Sequence, residues 1–558
     1  MSMQPGLSHW TAEGDRADLH DITLGGLLRQ QSERFAQHRA FVFDQGNGHP
    51  ALIWTYAELD GKVDDLAKAL IAAGVAHGDR VAVMAPNCPE WLLLEYALAR
   101  IGAVLVTVNP AFRQAELDYL LRQGRDSMLF AVGEYRGFDL ADMIGDMLHG
   151  QSYPDLRRVI RIGTVDIAGA AEFAAFVAGG RAVDPTVLAR REAAVTSRDV
   201  VQIQYTSGTT GQPKGAMLTH FGTVNNARLA GQRAGYGEAD IMVSAMPLFH
   251  TAGCVCNVIG MAAVGGCLVA MEQFNASRML DLIEGYGGTV TNAVPTMYVR
   301  MLQDERLAMG QRQLASWRIA YTGGTAIPPS LMRELHEKTG AEPVIIMGMT
   351  ECSPIITQTV SSDPFERKIS TAGVPLPHVE IRIADPGDGQ TVPTVTEGEL
   401  LIRGFLVMAG YFDMPERTAQ AIDSEGWLHS GDIGVLDEGG YLRIVGRIKD
   451  MIIRGDENIY PVEIEDHLLG NENVAEAQVV GVPDPEFGEE ICAFVVPRPG
   501  HDVDVGQLRD WCRLTLSRHK LPRYVVTLPS MPQTANGKVR KVELRDLART
   551  MIDQGALS

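Results

Sequence analysis

The sequence has few cysteines and no Cys-x-x-Cys pair. An odd number of widely spaced cysteines argues against a disulfide framework and against a structural zinc site, which needs closely spaced thiol pairs. The pattern is typical of free thiols in a reducing compartment, and it predicts a cytoplasmic protein. The seven cysteines are Cys88, Cys254, Cys256, Cys267, Cys352, Cys492 and Cys512.

Basic residues are outnumbered by acidic ones. The chain has 49 lysines and arginines against 69 aspartates and glutamates, so its formal net charge is −20. Such a charge argues against a general affinity for nucleic acids or anionic membranes. Residues 1–10 lack a basic region followed by an apolar one, which predicts that there is no secretory signal.

Long uninterrupted apolar runs are also missing. The most apolar stretch, residues 254–271, contains Asn257 and three glycines and lacks interfacial anchors. We expect a buried helix that leads into a strand there, and no stable membrane insertion.

The length and the local patterns predict an α/β protein of more than one domain. A chain of 558 residues is too long for a single core. Thr55 and Glu58 form a capping box that opens a helix. Residues 80–84 and 103–108 are predicted strands on either side of a helix through residues 91–96. Strand, helix and strand at this spacing predict a parallel sheet.

The pattern changes in the last third of the chain. Residues 373–445 contain short strands separated by glycine turns, which predict a small β subdomain. Residues 446–450 mark a boundary, and residues 450–558 have the size and the α+β pattern of a separate small domain.

The chain is organised around a candidate phosphate loop at residues 205–215. Its glycines allow the backbone to approach a ligand closely, and Lys214 supplies a mobile positive charge. It is not a Walker loop, because Pro213 separates Gln212 from the lysine. A flexible linker of small polar residues would have the same composition. Hydroxyl groups that could donate to phosphate come from Thr206, Ser207, Thr209 and Thr210.

Several later residues are candidates for chemistry, each with a plainer reading. His250 is expected at the end of a strand, although a single histidine is commonly structural. Gly323 and Gly324 suit a flat ligand that lies against backbone, or a simple turn. Glu351 could bind Mg²⁺ through oxygen, or be a solvated loop residue.

Two more candidates lie nearer the carboxyl end. Asp432 is expected on a glycine turn, where it could accept hydrogen bonds from both ribose hydroxyls or cap an Asx turn. Lys538 is expected in a glycine-bearing turn, where most lysines are solvated.

Taken together, these motifs resemble the adenylate-forming acyl-CoA synthetase family, from about residue 22 to residue 550. Residues 446–454, 457–465 and 488–492 look most like medium-chain acyl-CoA synthetases, and residues 109–113 are similar to fatty-acyl-CoA ligases. The resemblance implies two half-reactions at one site. A carboxylate attacks the α-phosphate of ATP to give an acyl-adenylate and pyrophosphate, and the thiol of CoA then displaces AMP.

The resemblance also implies a role for each motif. Phosphate contacts are implied for Thr206, Ser207, Gly208, Thr209, Thr210, Gly211 and Lys214. Glu351 and Thr206 would bind Mg²⁺, while Asp432 and Arg447 would hold the ribose. Adenine and acyl contacts are implied for Gly323, Gly324, Thr325, Met347, Gly348, Met349 and Thr350.

A moving C-terminal domain is part of the resemblance. Residues 1–446 would form the large AMP-binding domain, residues 447–449 the hinge with Lys449 at its centre, and residues 450–558 the mobile domain. Lys538 would bridge the substrate carboxylate and the α-phosphate during adenylation. After rotation, Gly455 and Asp456 would border the pantetheine arm of CoA. His250 would change rotamer at the entrance of the acyl pocket between the two states.

Two positions depart from the family pattern. Met347 stands where a tyrosine usually stacks on adenine, so it loses the aromatic face. Asp456 stands where a second glycine is common, and it adds bulk and negative charge beside a polyanionic cofactor.

The sequence therefore predicts an ATP- and Mg²⁺-dependent carboxylic acid–CoA ligase, with a medium-chain fatty acid as substrate. Two alternatives stay open. One is an adenylating enzyme that loads a separate carrier protein, and the other is a nucleotide-binding pseudoenzyme, suggested by Met347 and Asp456. A homo-oligomer is compatible with the sequence.

Overall fold

A computed structural model of the protein describes most of the chain. The described residues are 2–11, 19–46, 49–150, 153–206, 213–325, 327–455, 457–514, 516–533 and 539–557.

The predicted strand–helix–strand pattern is confirmed near the amino end. Helix Tyr56–Ala72 begins with the capping box of Thr55 and Glu58. Strand Arg80–Met84 leads through helix Pro89–Ile101 into a strand that pairs with it in parallel. Its eight-stranded sheet is parallel except at the end that carries the last two strands. In spatial order the strands are Ala171–Glu172, Arg158–Ile162, Met128–Val132, Arg80–Met84, Val104–Val108, Val200–Thr206, Lys214–Thr219 and Gly410–Tyr411.

A second sheet of nine strands lies beside the first in the large N-terminal part. Its central strands are parallel and its outer pairs are antiparallel. Because carboxyl ends of parallel strands meet at one edge, Ser244, Asn292, Gly323 and Gly348 lie at the same edge. In spatial order the strands are Val374–Pro375, Ile355–Gln358, Glu342–Gly348, Ile319–Gly323, Val290–Asn292, Ile241–Ser244, Cys267–Met271, Arg39–Asp44 and Leu52–Thr55.

Helices cover these two sheets and bury an extensive apolar core. The core includes Trp91, Leu94 and Phe130, which are fully buried. Besides the two helices named above, the α-helices of this part are Leu24–Arg34, Gln114–Gly124, Leu140–Gly150, Phe173–Ala178, Pro185–Ala193, His220–Ala234, Gly260–Val264, Ala276–Tyr286, Pro295–Leu302, Glu305–Ala308, Pro329–Thr339, Phe365–Ser370 and Pro415–Ala421.

The apolar stretch is a buried helix that leads into a strand, as predicted. It begins within a π-helix, Ala252–Ile259, which continues as Gly260–Val264 and leads into strand Cys267–Met271 of the nine-stranded sheet. Throughout the described ranges, no helix combines the length and apolarity needed to cross a membrane.

The predicted β subdomain is a sheet of six antiparallel strands. The prediction that Asp432 lies on a glycine turn is wrong. It lies within strand Leu428–Leu436, where the backbone pairs with the next strand although Gly431 has a φ of +70°. In spatial order the strands are Ser2–Met3, His9–Thr11, Val379–Ala384, Gly398–Gly404, Leu428–Leu436 and Leu442–Arg447. Glu134–Tyr135 and Phe138–Asp139 form a separate small hairpin.

A smaller α+β domain completes the fold. One apolar cluster, around Val479 and Ile491, and another, around Phe494 and Leu544, build its core. Its strands are Glu457–Ile459, Ile452–Arg454, Gly488–Pro497, Val474–Asp484 and Tyr524–Thr527. Its α-helices are Pro461–Leu469, Val505–Arg513 and Lys541–Asp553.

Candidate active site

The candidate phosphate loop connects two antiparallel strands. Thr206 ends strand Val200–Thr206 and pairs with Lys214, the first residue of strand Lys214–Thr219. The sequence placed Lys214 in the loop. It is a strand residue, because its backbone is paired with that of Thr206. Tyr119 Oη donates to the carbonyl of Pro213 over 3.0 Å and so fixes the end of the loop. Ser207, Gly208, Thr209, Thr210 and Gly211 lie outside the described residues.

The predicted metal-binding residues meet where strand Val200–Thr206 leads into this loop. Glu351 lies in the short 3₁₀ helix Thr350–Cys352, directly after strand Glu342–Gly348. It is only 7% exposed, and its Oε1 accepts from Thr206 Oγ1 over 3.3 Å and from Tyr411 Oη over 2.9 Å. The alternative of a solvated loop glutamate does not hold.

Tyr411 is a site residue that sequence reasoning missed. It sits in the edge strand Gly410–Tyr411, opposite Ala216 of strand Lys214–Thr219, about 60 residues beyond Glu351 in the chain. Burial, and next the charge of Glu351, raises the pKa of its phenol well above the ordinary value, so it stays a donor. Lys214 Nζ lies 4.4 Å from the centre of the Tyr411 ring.

The donor set at Glu351 suits magnesium. Mg²⁺ prefers oxygen ligands and is usually held by one or two protein groups together with phosphate oxygens and water. Glu351 and Thr206 offer such oxygens side by side. Among the described residues there is no group of three or more His, Cys, Asp or Glu side chains that could hold a metal alone. The residues present therefore fit a metal that arrives with a polyphosphate.

Asp432 and Arg447 form a second charged pair. They lie opposite each other on neighbouring antiparallel strands, and Arg447 Nε donates to Asp432 Oδ1 over 2.7 Å. Asp432 is only 4% exposed. Burial raises the pKa of the Cys352 thiol, and the charges of Glu351 and then Asp432 raise it further. The charges of both carboxylates therefore act on the same buried thiol, which is next to Glu351 in the chain.

The predicted hinge lysine follows this pair. Lys449 lies in the 3₁₀ helix Ile448–Asp450. Burial, and next the charge of Arg447, lowers the pKa of its ammonium group below the ordinary value.

The predicted adenine and acyl segments come from adjacent strands of the nine-stranded sheet. Gly323 and Gly348 end these strands, and neighbouring atoms occupy the space of a side chain at both. A Cβ on Gly323 would lie 2.5 Å from Ile346 Cγ1, and one on Gly348 would lie 2.3 Å from the carbonyl oxygen of Pro354. Close packing of the protein itself therefore explains why glycine stands at both positions.

The other residues of these segments differ from one another in burial and in backbone conformation. Met347 is 9% exposed and belongs to the main apolar cluster. Met349 donates its backbone N–H to the carbonyl of Pro354 over 2.9 Å. Gly324 has a φ of +83°, which explains why a glycine stands there. Thr325 beside it is exposed, and Thr350 begins the helix that carries Glu351.

His250 introduces the π-helix. Its carbonyl accepts from the backbone N–H groups of Gly253 and Cys254, and its Nδ1 accepts from the N–H of Ala252 over 3.3 Å. It lies beyond the end of strand Ile241–Ser244, in a turn, although the sequence placed it at the strand end. π-Helices are rare in proteins, and those that occur are frequently found at functional sites.

Polar side chains that the sequence did not single out hold this π-helix. Asn257 Nδ2 donates to Ser244 Oγ over 3.0 Å, and Asn292 Nδ2 donates to Asn257 Oδ1 over 2.7 Å. Their only sequence signal is that Asn257 interrupts an apolar run.

A second buried network lies behind the phosphate loop. Gln202 Nε2 donates to Glu95 Oε1 over 2.8 Å, and Gln204 Nε2 donates to Gln202 Oε1 over 2.9 Å and to Cys254 Sγ over 3.1 Å. Gln202 and Gln204 belong to the strand that ends at Thr206, so this network joins the phosphate side of the site to the π-helix.

The residues implied to border CoA belong to the small domain. Gly455 turns between strands Ile452–Arg454 and Glu457–Ile459 with a φ of +64°, and its N–H donates to the carbonyl of Phe487 over 2.7 Å. Asp456 and Lys538 lie outside the described residues.

Comparison with known proteins identifies the family. Residues 28–412 match the family model of the AMP-binding enzyme, and residues 463–538 match that of the AMP-binding enzyme C-terminal domain. The chain therefore belongs to the AMP-binding enzyme family, as an AMP-forming acyl-CoA ligase.

Relatives and solved structures of similar length support this family assignment. Acyl-CoA ligase SID4 of Ajellomyces capsulatus is 36% identical over 96% of this chain and 93% of that protein. Medium-chain acyl-CoA ligase ACSF2, mitochondrial, of Mus musculus is 34% identical over 97% of this chain and 90% of that protein. The crystal structure of ATP-bound MatB from Rhodopseudomonas palustris has a TM-score of 0.81 at 28% identity, covering 94% of this chain and 99% of that one.

Proposed function

We propose that the protein activates a medium-chain fatty acid with ATP and Mg²⁺ and passes the acyl group to CoA. The observation that carries the proposal is the buried carboxylate of Glu351. It accepts from Thr206 and Tyr411 at the start of the hydroxyl-rich loop, with Lys214 over the same tyrosine. This arrangement collects oxygen ligands and a cation where a polyphosphate would lie.

In the first half-reaction, a carboxylate oxygen of the acid attacks the α-phosphorus of ATP. The bond from that phosphorus to the bridging oxygen breaks, and pyrophosphate leaves. Lys214 and Lys538 would balance the charge that develops, because fixed cations stabilise such a transition state. Bound Mg²⁺ would neutralise phosphate charge as a Lewis acid. Tyr411 would hold Glu351 in its orientation.

In the second half-reaction, the thiol sulfur of CoA attacks the acyl carbon and gives up its proton to solvent, and AMP leaves as the carbon–oxygen bond breaks. We infer that residues 450–558 rotate about residues 447–449, relative to residues 1–446, between the two steps. Rotation would replace Lys538 by the hairpin tip at Gly455 and Asp456. Asp432 and Arg447 would hold the ribose in both states.

The assignment of a medium-chain acid rests on resemblance. ACSF2 is named a medium-chain acyl-CoA ligase, and the motifs around residues 446–465 are similar to those of such enzymes. His250 and the π-helix Ala252–Ile259 would line the acyl side. We also propose a reducing, cytoplasmic location, since all seven cysteines are free.

The test is a paired assay over carboxylic acids from acetate to palmitate, with benzoate included. Pyrophosphate release and acyl-CoA formation are followed in parallel. We expect both to rise together and to be greatest for acids of medium chain length. A maximum at acetate or palmitate would overturn the chain-length assignment, and pyrophosphate without acyl-CoA would overturn the CoA step.

Asp456 favours one alternative acceptor. A carboxylate beside the pantetheine arm would repel the phosphates of CoA, so an acyl group could instead pass to a separate carrier protein. We propose that Asp456→Gly speeds thioester formation severalfold without changing pyrophosphate release. An increase of this order corresponds to the removal of one repulsive pair of charges. Asp502→Gly is a control of equal charge change in a loop of the same domain. An unchanged rate of thioester formation would contradict this role of Asp456.

A further inference from the structure

The chain passes from the β subdomain to the small domain through the 3₁₀ helix Ile448–Asp450. Just before it, Arg447 is fixed to Asp432 by strand pairing and by the 2.7 Å hydrogen bond. A buried carboxylate that pairs with a guanidinium forms a strong, directional contact. The backbone up to Arg447 is therefore part of the large domain's sheet.

Just after the linker, Asp450 is fixed to the small domain. Arg545 Nη2 donates to Asp450 Oδ1 over 2.7 Å. Arg545 belongs to helix Lys541–Asp553, whose Leu544 and Ala548 are fully buried in the small domain's core. Two ion pairs thus enclose a stretch of only Ile448 and Lys449.

The same helix has a second attachment one turn earlier. Lys541 Nζ donates to Glu465 Oε1 over 2.8 Å, and Glu465, 4% exposed, also accepts from the backbone N–H of Val479. Lys541 and Arg545 are four residues apart and so share a face of the helix. This face connects the hinge to the core of the small domain.

The helix also follows directly after the segment that carries Lys538. Gln533 and Val539 form a β-bridge, and the N–H of Arg540 donates to the carbonyl of Pro532 over 2.8 Å. Both ends of the segment are therefore held together at the base of the helix.

We propose that Asp450 and Arg545 are positioning residues for adenylation. Their ion pair confines the domain rotation to Ile448 and Lys449 and transmits it to helix Lys541–Asp553, which follows Lys538 in the chain. The inference rests on the proposed function. Hairpin Ile452–Ile459, which would border CoA, is connected to Asp450 by the backbone and not through Arg545. Adenylation therefore needs the ion pair more than thioester formation does.

The test measures the two half-reactions separately in Arg545→Gln and Asp450→Asn. Single-turnover pyrophosphate release reports adenylation, and acyl-CoA formation from supplied acyl-adenylate reports the second step. Arg549→Gln is the matched control, since it lies one turn further on the helix and its carboxylate neighbour, Asp546, is 4.0 Å away. Thermal unfolding of each variant reports loss of structure.

We expect adenylation to slow on the order of tenfold in both variants, because small displacements of a catalytic group are costly. Thioester formation should change less than about twofold, and the double variant should resemble the single ones. Equal loss in both half-reactions, or no loss in either, would overturn the proposal. If the wild-type enzyme releases no pyrophosphate with any acid, the proposed function fails and this inference with it. Failure of CoA transfer alone would leave the adenylation comparison valid and would count against the CoA step only.

Discussion

The two sides of the candidate site are built in different ways. The nucleotide side, as proposed, uses buried carboxylates, with Glu351 and Asp432 each held by a direct partner. The acyl side, as proposed, is formed by His250 and a π-helix whose polar side chains are satisfied within the core. The first side is specified by short motifs, and the second by contacts between distant segments.

This difference suggests a division of labour. In the proposed function, fixed charges and oxygen ligands serve ATP, the substrate that is the same for every acid. A helix of unusual hydrogen bonding, held by a few buried amides, can change the shape of a pocket when one contact is replaced. We expect changes on the nucleotide side to affect all acids equally, and changes on the acyl side to affect acids according to their length.

Lys538→Ala should have the largest effect. Adenylation should fall on the order of a thousandfold, because in the proposed function the carboxylate and the α-phosphate lose the cation that bridges them. Thioester formation from supplied acyl-adenylate should remain largely intact. Stopped assays of each half-reaction measure both rates, with Lys520→Ala, a lysine of the same domain that is paired with Glu463, as the control. Equal loss of both activities would argue against two orientations of the small domain.

Glu351→Gln should slow pyrophosphate release on the order of a hundredfold, equally for short and long acids. The amide keeps the shape of the side chain but loses the charge that Mg²⁺ requires, so the Mg²⁺ concentration for half-maximal rate should rise. Glu337→Gln, an exposed change on helix Pro329–Thr339, is the control. An unchanged Mg²⁺ dependence would remove Glu351 from the metal site.

Much of the fold was predictable because it depends on local patterns. The capping box at Thr55 and the apolar strand Arg80–Met84 were found where predicted. One of the two partners of Glu351 was predictable, because Thr206 belongs to the loop motif. Tyr411 was not, because it reaches Glu351 through the pairing of an edge strand, which no local sequence pattern indicates. The π-helix was not predictable, because its hydrogen bonds depend on amides from other strands.

Asn257→Ala tests the acyl side. Removing its amide leaves Ser244 Oγ without that donor and loosens the π-helix, at a cost of about 1–3 kcal/mol in the free energy of unfolding. We expect the profile of kcat/KM over acid length to shift by about tenfold between its extremes, while the KM for ATP stays constant. Val258→Ala, which removes volume from the same helix, is the control. If both variants shift the profile alike, volume and not the amide contact determines the selectivity.

Glu95→Gln should have the smallest effect, and it concerns the strand shared by both sides. Glu95 is 1% exposed, and burial raises the pKa of its carboxyl well above the ordinary value, although the bond from Gln202 opposes this. The folded protein therefore binds the proton more strongly than the unfolded chain does. Between the unfolded and the folded pKa, unfolding releases that proton, so the free energy of unfolding falls as the pH rises through this window.

Gln at position 95 can still accept from Gln202 but does not ionise, so this pH dependence should disappear. We expect the melting temperature of Glu95→Gln relative to wild type to be higher at pH 8 than at pH 5 by on the order of 2 °C. Glu33→Gln, an exposed change of the same charge, controls for net charge. A difference that is the same at both pH values would show that Glu95 does not change its protonation on folding. The network between the phosphate loop and the π-helix would then include a buried negative charge at Glu95. Glu95→Gln, which removes that charge, should in that case disturb both sides of the site.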